Sequence, residues 1–457
     1  MTLGVLLSTT RIPGPPGLPL LGSMFDLKRD PLGTYLSGHR EHGDVVRFTA
    51  GPPGLRVELF GIYSPEGVQQ VLATQAANFR KENVFYEEIR QSFGNGLLTS
   101  QDEDYQRQRR LIQPLFTRRR VDGYADAIGL ETEHLVERWS AAPGGAVDAV
   151  DEMSRFALRA VARILFGADL EAALDAVRVN FPVVAHYVTA RGFSPKSIPR
   201  SWPTPGNRKA MAAERSLYEV CDTIIAQRAA AGGESEDLLG LLAAARGEDG
   251  ERLDPTELRE QVLIFLLAGH ETTATSLTFA LHLLGHHPEV QRRAREEVDA
   301  LLGDGRRPTA ADYNGLPYLT MVLKEAMRLY PAAPAVGRLA VQECVIGDTV
   351  IPAGANVMAA AYVVHRHEKH WPDPERFDPE RFTPEAEAGR HRYAWFPFGG
   401  GPRACIGQHF SMLESVLGLA GLLRAFEVEA LDPRDVPLTH GITLEATGPV
   451  RIGLTRR

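Results

Sequence analysis

Cys405 is the residue of this chain best placed to do chemistry. It stands in Phe398-Gly399-Gly400-Gly401-Pro402-Arg403-Ala404-Cys405-Ile406-Gly407, just ahead of an apolar run that reads as a helix. A thiolate at a helix start is a good single ligand for a large iron cofactor, because loop and helix amides can hydrogen-bond the sulfur and tune its charge. The glycines let the backbone approach a flat ring closely. Arg403 offers a fixed cation for an acidic edge of such a ring. Cys-x-Gly alone would read as a small buried hydrophobe in a tight turn. The full spacing Phe-x-x-Gly-x-Arg-x-Cys-x-Gly carries the metal-ligand reading.

A second locus lies upstream. Asp254-Pro255-Thr256-Glu257 combines an N-cap acid, a first-turn proline and a glutamate three residues after the cap, and the next proline is Pro288. This predicts a helix of about 33 residues, roughly 50 Å long. Its middle reads Phe265-Leu266-Leu267-Ala268-Gly269-His270-Glu271-Thr272-Thr273. Ala268 and Gly269 remove bulk, and the glycine costs about 1 kcal/mol against alanine. Glu271 is an acid in an apolar run, costly if unpartnered. Thr272 and Thr273 can turn their hydroxyls to preceding carbonyls and bend the helix. A locally opened helix beside small residues makes room for a diatomic ligand and a water. Taken alone, the segment reads equally as a kinked core helix. His270 lacks a His or Cys partner at i+4, and His365, His367 and His370 read as a polar loop, since no further ligand completes a tetrahedral set.

The cysteine loop and the Ala-Gly-x-Glu-Thr-Thr helix together resemble the cytochrome P450 superfamily. The resemblance implies a mostly α fold with small β-sheets (α+β), with haem b held between a long distal helix and the cysteine loop. Cys405 would ligate the iron, its thiolate favouring O–O cleavage. Phe398, Gly399 and Gly407 would line the cofactor from the loop and Ala268 from the helix. Thr272 would hydrogen-bond the oxygen and an ordered water, and Glu271 would relay protons. Arg403, Arg338 and Arg109 would meet the haem propionates, with Tyr105 standing where many members carry the tryptophan of Trp-x-x-x-Arg. A solvated basic helix is the other reading of Arg107 to Arg110. Glu325 and Arg328, three apart and so on one helix face, would join Arg381 in a buried charge network behind the haem. Leu98, Phe265, Ala268, Ala333, Ala335, Val336 and Ile442 would line an apolar substrate pocket, ordinary core packing being the alternative for each.

The implied activity is insertion of one atom of O2 into an apolar small molecule: hydroxylation or epoxidation of a terpenoid, steroid, polyketide or fatty acid. The chain resembles the haem domain of bacterial fatty-acid hydroxylases, without a compelling carboxylate clamp. Only about 50 residues follow Cys405, and no glycine-rich dinucleotide-binding unit is present. Electrons are therefore expected from a separate ferredoxin with its reductase, or from a flavodoxin-type donor. Arg118-Arg119-Arg120 offers either a docking patch for an acidic donor or a solvated helix end. Two rival readings are a hydrogen-peroxide-driven peroxygenase, which can dispense with Glu271 and Thr272, and a haem sensor or carrier without catalysis.

The whole chain agrees with these elements. It has 457 residues, 44% of them hydrophobic and 24% charged, as in an ordinary globular protein. A net charge of −8 gives no reason to expect a nucleic-acid partner. Three widely spaced cysteines, Cys221, Cys344 and Cys405, suggest a reducing compartment and no disulfide framework. The apolar run Leu3 to Leu7 is far shorter than the roughly 20 residues of a membrane span. The expectation is a cytoplasmic monomer without a membrane span. Pro13 to Gly22 reads as a stiff, non-helical hinge, so residues 1–22 would form a tail and hinge and 23–457 a single catalytic domain. Helical patterns dominate from about 85 to 330. Strand patterns cluster at 45–60, at 338–357 and in the last ~30 residues. Residues 232–236 and 247–250 read as loops bracketing a short helix.

Overall fold

The central helix Pro255–His286 organises the molecule. Its start follows from local chemistry: Asp254 accepts from Thr256 N at 2.8 Å and Glu257 N at 2.9 Å, and Glu257 Oε2 accepts from Asp254 N at 2.9 Å. This reciprocal pairing satisfies donors that the first turn leaves without intrahelical partners. The helix runs 32 residues and ends before Pro288. It is apolar on nearly every side, as a helix buried all round must be. Among the described residues it alone is long and apolar enough to cross a membrane, yet 72% of its most apolar stretch is buried within the protein.

This computed structural model describes residues 12–141, 145–166, 171–194, 197–231, 237–247, 250–303 and 305–457. Around the central helix pack Ala149–Phe166 along one flank and Pro317–Leu329 and Gln408–Ala425 on another, while Pro205–Ala231 and Glu171–Gly192 lie across it as an antiparallel pair. The five-stranded sheet stands to one side. Val45–Ala50 pairs antiparallel with Val57–Ile62, which pairs parallel with Asn356–Ala359; that strand pairs antiparallel with Val336–Ala340, which is flanked by Phe79–Arg80. A carboxy-terminal sheet joins Ala146–Asp148, Arg451–Arg456 and Phe426–Ala430. The hairpin Leu438–His440 with Leu444–Ala446 carries the turn that reaches the interior.

The proline-rich hinge lies along the first sheet, with Arg47 N donating to Pro13 O at 2.8 Å and Ser23 N to Thr49 O at 2.7 Å. Two early helices, Met24–Arg29 and Pro31–His42, precede the first strand. The second has a legible start: Asp30 accepts from Gly33 N at 2.9 Å, ahead of Pro31. The expected short helix is Leu238–Ala244, and Asp237 caps its start by accepting from Gly240 N. Residues 232–236 and 248–249 of its flanking loops, and the run Leu3 to Leu7, lie outside the described residues. The three cysteines are unpaired.

The expected opening at Ala268 to Thr273 is absent, because the backbone stays helical throughout. Thr272 Oγ1 donates to Ala268 O at 2.8 Å, a back-bond the helix absorbs without breaking, while Thr273 turns across to Ser411 Oγ at 3.4 Å. Small side chains, and not a broken helix, make the space here.

Removing the cap should test the helix start. Asp254→Ala is expected to cost about 1 kcal/mol, read as a lower denaturation midpoint, and Asp254→Asn should recover most of it. An unchanged midpoint for Asp254→Ala would contradict the capping account.

Candidate active site

A cavity of about 2090 Å³ of empty space, part of it open to solvent, lies between the cysteine loop and the middle of the central helix. Phe398, Gly399, Cys405 and Gly407 form one wall; Phe265, Ala268, Glu271 and Thr272 face them. Leu98, Ala333, Ala335, Val336 and Ile442 complete the lining, so every residue expected at the substrate reaches this one space. Sequence patterns missed the aromatic and aliphatic far wall, including Phe93, Phe181, Ile164 and Leu165, whose helical spacing is that of any core.

Cys405 is accessible, and the space it opens to is the cavity; elsewhere protein packs around it. Burial pushes its thiol pKa up, while the Gly407 N–H aimed at the sulfur, Arg109 and Lys81 act in the opposite direction. The loop is held in shape by Cys405 N donating to Phe398 O at 2.9 Å. Two of its glycines are required. Gly401 has φ of 63°, and a Cβ there would lie 1.9 Å from the Leu72 carbonyl oxygen. Gly399 has φ of 70°, and a Cβ there would project into open space. His365, wholly buried, accepts from Phe396 N at Nε2, 2.9 Å away, and so braces the approach to the loop. Residues 365–370 form the expected polar turn, with His365 and His367 buried in it and Glu368 and Lys369 exposed.

Three cations converge beside the loop: Lys81, Arg338 and Arg403. Arg403 donates to Ser100 O and Gln101 Oε1 and lies over the Tyr105 ring, 3.4 Å from its centroid. Its Nη1 is buried without a partner. Burial pushes its pKa down to about 10, with Arg338 adding to the effect. Lys81 donates to Leu98 O at 2.8 Å, and burial beside Arg338 and Arg403 holds its pKa well below the ordinary lysine range. The sequence hid this lysine, because Arg80-Lys81-Glu82-Asn83 reads as a polar surface turn.

Tyr105 and Arg109 are placed differently from the expected propionate contacts. Neither reaches the cavity wall. Tyr105 Oη donates to Pro402 O at 2.7 Å and Arg109 Nη1 to Ala404 O at 3.1 Å, so both hold the backbone of the cysteine loop. The Arg403 guanidinium stacked on Tyr105 occupies the intervening space.

On the opposite wall, burial pushes the Glu271 pKa up to about 8. The Thr443 hydroxyl faces this carboxyl and works against the shift, though the pair does not form a well-aligned hydrogen bond, and Glu445 beyond adds to the rise. Glu445 in turn meets His186 at 3.3 Å near the surface.

Glu325 and Arg328 are both fully buried and form a two-pronged pair, Arg328 Nε to Oε2 at 2.6 Å and Nη2 to Oε1 at 2.8 Å. The remaining Arg328 donors reach His365 O, Pro374 O and Arg376 O, and Asp378 N donates to Glu325 Oε1. Arg381 joins as an ion pair, its Nε 3.5 Å from Glu325 Oε1, while its Nη2 donates to Asp373 O. The expected trio is therefore brought together.

Residues 12–449 match the family model described as Cytochrome P450. The chain is a cytochrome P450. It is 38% identical over 408 residues to cyclooctat-9-en-7-ol 5-monooxygenase of Streptomyces melanosporofaciens, covering 89% of this chain and 87% of that one. It is 34% identical over 444 residues to pentalenene oxygenase of Streptomyces avermitilis, covering 97% of each. The crystal structure of the cytochrome P450DA heme domain superposes with a TM-score of 0.87 at 30% identity, covering 98% of each chain. The chain is thus a P450 monooxygenase with the α+β fold of that family, whose members act on small molecules with O2 and a haem-thiolate cofactor.

The residues present fit a haem. A thiol faces an open cradle at Gly399, and three crowded cations, one with an orphaned donor, stand where an acidic edge would relieve them.

Breaking the buried pair should be costly. Arg328→Ala strands the Glu325 carboxylate, a loss of roughly 3–5 kcal/mol. Little soluble haem-loaded protein is expected, as measured by haem absorbance per milligram. Normal yield and loading would contradict the role of this network.

Proposed function

We propose that this P450 oxygenates a terpenoid, by hydroxylation or epoxidation, using haem b and electrons from a ferredoxin- or flavodoxin-type donor. The observation that carries the substrate class is the lining of the cavity. The cations stand together beside the cysteine loop, and the far wall of Phe93, Phe181, Ile164 and Leu165 offers no charged partner to a fatty-acid carboxylate. Small residues at Ala268, Ala333 and Ala335 leave width for a ring system near the cysteine. The relatives named for cyclooctat-9-en-7-ol and pentalenene support the same class.

Haem held by Cys405 supplies O2 activation and transfer of one oxygen atom. The chain's own residues set the conditions. The Gly407 N–H tempers charge on the sulfur. Arg403, Arg338 and Lys81 would meet the acidic edge of the haem, which would give the orphaned Arg403 Nη1 a partner. Thr272 presents its hydroxyl oxygen to the cavity while its proton is held on Ala268 O. Glu271, raised to about 8, is a protonated acid at neutral pH and serves as proton donor beside that hydroxyl. Thr443, Glu445 and His186 form a path for its resupply from the surface. Residues 23–457 act as one catalytic unit, with the hinge bracing its first sheet.

The donor docks on the cysteine side. The helix Arg118–Asp122 lies against the helix that follows Cys405, with His409 Nε2 2.9 Å from Asp122, and Arg118, Arg119 and Arg120 are exposed there. Such a patch speeds encounter with an acidic protein in a salt-dependent way. Arg119→Glu should slow reduction by a ferredoxin and flatten its dependence on ionic strength. Equal rates and equal salt dependence would remove the patch from the account.

Turnover should also report on Glu271. The donor form is present below about pH 8 and is lost as pH rises through that value. Wild-type turnover should fall on that limb, and Glu271→Gln should be roughly 100-fold slower and lack it. Wild-type rates in the variant would exclude the acid from proton delivery. For the substrate, cyclic terpenes should shift the ferric spin state and give oxygenated product with O2 and a surrogate redox chain. Shifts confined to fatty acids would overturn the substrate class, and faster turnover with hydrogen peroxide alone would make the enzyme a peroxygenase.

A further inference from the structure

One end of the cavity is closed by a chain of buried amides. Gln261, on the central helix, and Gln108, on Asp102–Ile112, are both buried. Gln261 Oε1 accepts from Leu97 N at 3.0 Å, and its Nε2 donates to Gln108 Oε1 at 3.0 Å. Gln108 Nε2 in turn donates to Asn95 O at 2.9 Å. The direction of this chain is fixed at both ends, because a backbone N–H can only donate and a backbone carbonyl can only accept. Each glutamine therefore has one amide orientation. The neighbouring Glu260 accepts from Asn95 N at 2.8 Å. Three segments are tied here: the central helix, the connection 94–101, and the helix whose Tyr105 and Arg109 hold the cysteine loop.

Gln261 lies on the cavity stripe of the central helix. Phe265, Ala268 and Thr272 follow it at spacings of four, seven and eleven residues, and all three line the cavity. At Gln261 the stripe turns from apolar contact to hydrogen bonding, and the connection 94–101 comes up against the helix. A Cβ on Gly96 would lie 2.4 Å from Ile264 Cδ1 and 3.2 Å from Gln261 Oε1. The far edge of the same connection is held by cations. Lys81 Nζ donates to Leu98 O at 2.8 Å, Arg90 Nη2 to Thr99 O at 2.7 Å, and Arg403 to Ser100 O. Leu98 stands between the two anchorages and lines the cavity beside Lys81 and Arg403.

We propose that Gln261 is a specificity-determining positioning residue: through Leu97 N and Gln108 it fixes Leu98, and so sets which face of a bound apolar molecule meets the cysteine loop. For a substrate this is the choice of carbon that is oxygenated, a consequence that rests on the function proposed above. Leu98 is the adjustable part of the wall. Phe265 and Ala268 belong to a 32-residue helix packed along its length, whereas Leu98 sits in a connection between two shorter helices. Without the Gln261 amide this connection keeps its bonds to Lys81, Arg90 and Arg403 and loses its tie to the central helix through Leu97. Leu98 then moves while the cations beside the cysteine loop retain their carbonyl partners.

Optical titration of the ferric holoenzyme with imidazole, 1-phenylimidazole and 4-phenylimidazole tests this without any substrate. Gln261→Met keeps the length of the side chain and gives up both hydrogen bonds. It should change the ratio of the two phenylimidazole dissociation constants by about threefold or more, with the imidazole constant unmoved. Leu98→Ala should change the same ratio, and adding Gln261→Met to it should change the ratio little further, as coupled residues do. Gln291→Met gives up equally buried bonds to Leu284 O and Val428 away from the cavity lining; it should lower the melting temperature and leave the ratio alone. Gln261→Glu, which still accepts from Leu97 N and cannot donate to Gln108, gives the same comparison with a smaller shift if Gln261→Met folds poorly. With pentalenene, O2 and a surrogate redox chain, Gln261→Met should spread the product over more positions than wild type. Failure of wild type to oxygenate any cyclic terpene would count against the terpenoid reading and leave the phenylimidazole ratio to decide the role of Gln261. A ratio unchanged in both Gln261 variants, or moved equally by Gln291→Met, would overturn the proposal.

Discussion

Everything in this molecule depends on keeping one sulfur atom shielded from water and yet open to a cavity. Burial opposes the charge that a thiolate ligand must carry, and only nearby donors and cations offset it. Gly407 N–H, Arg109 and Lys81 do so directly. Tyr105 and Arg109 then fix the loop backbone from outside, on the carbonyls of Pro402 and Ala404, while Gly401 lets the loop pass within contact of Leu72. The geometry around Cys405 is therefore distributed over parts of the chain that lie hundreds of residues apart.

The same problem of buried charge recurs on each side of the cavity and is solved differently each time. Behind the loop, Glu325 is kept company by Arg328 and Arg381, with backbone groups satisfying what remains. Facing it, Glu271 meets no cation among the described residues, so burial leaves it neutral and able to give a proton. A third acid, Glu414, is wholly enclosed near Thr273 and Ser411, and burial pushes its pKa well above the ordinary range. Paired acids hold structure here, and unpaired ones hold protons.

What could be read in advance follows the range of the interactions. The Asp254 cap and the Cys405 motif are runs of neighbours within a few residues, so spacing pointed to both, while the distant supports of the cysteine loop from Leu72, Tyr105 and Arg109 lay outside any local pattern. Spacing put Glu325 and Arg328 on one helix face, which by itself would read as a solvated face; their burial as a pair, like the part of Arg381, was legible only through family resemblance. Lys81 was invisible, since nothing in Arg80-Lys81-Glu82-Asn83 tells that its ammonium turns inward to Leu98 O. The helix at Ala268 to Thr273 was expected to open, but a hydroxyl back-bond can be absorbed without a break, and sequence does not say which outcome the packing selects. The turn at 365–370 was legible, but the burial of His365 and His367 within it was not, because their partners, Phe396 and Asp44, come from distant segments.

The central claim is that Cys405 supplies a thiolate to a haem in this cavity. The carbon-monoxide difference spectrum of the reduced holoenzyme tests it most directly. Wild type should give the long-wavelength Soret band of a thiolate-ligated haem, and Cys405→Ser should lose that band. A thiolate-type band that survives the substitution would contradict the account.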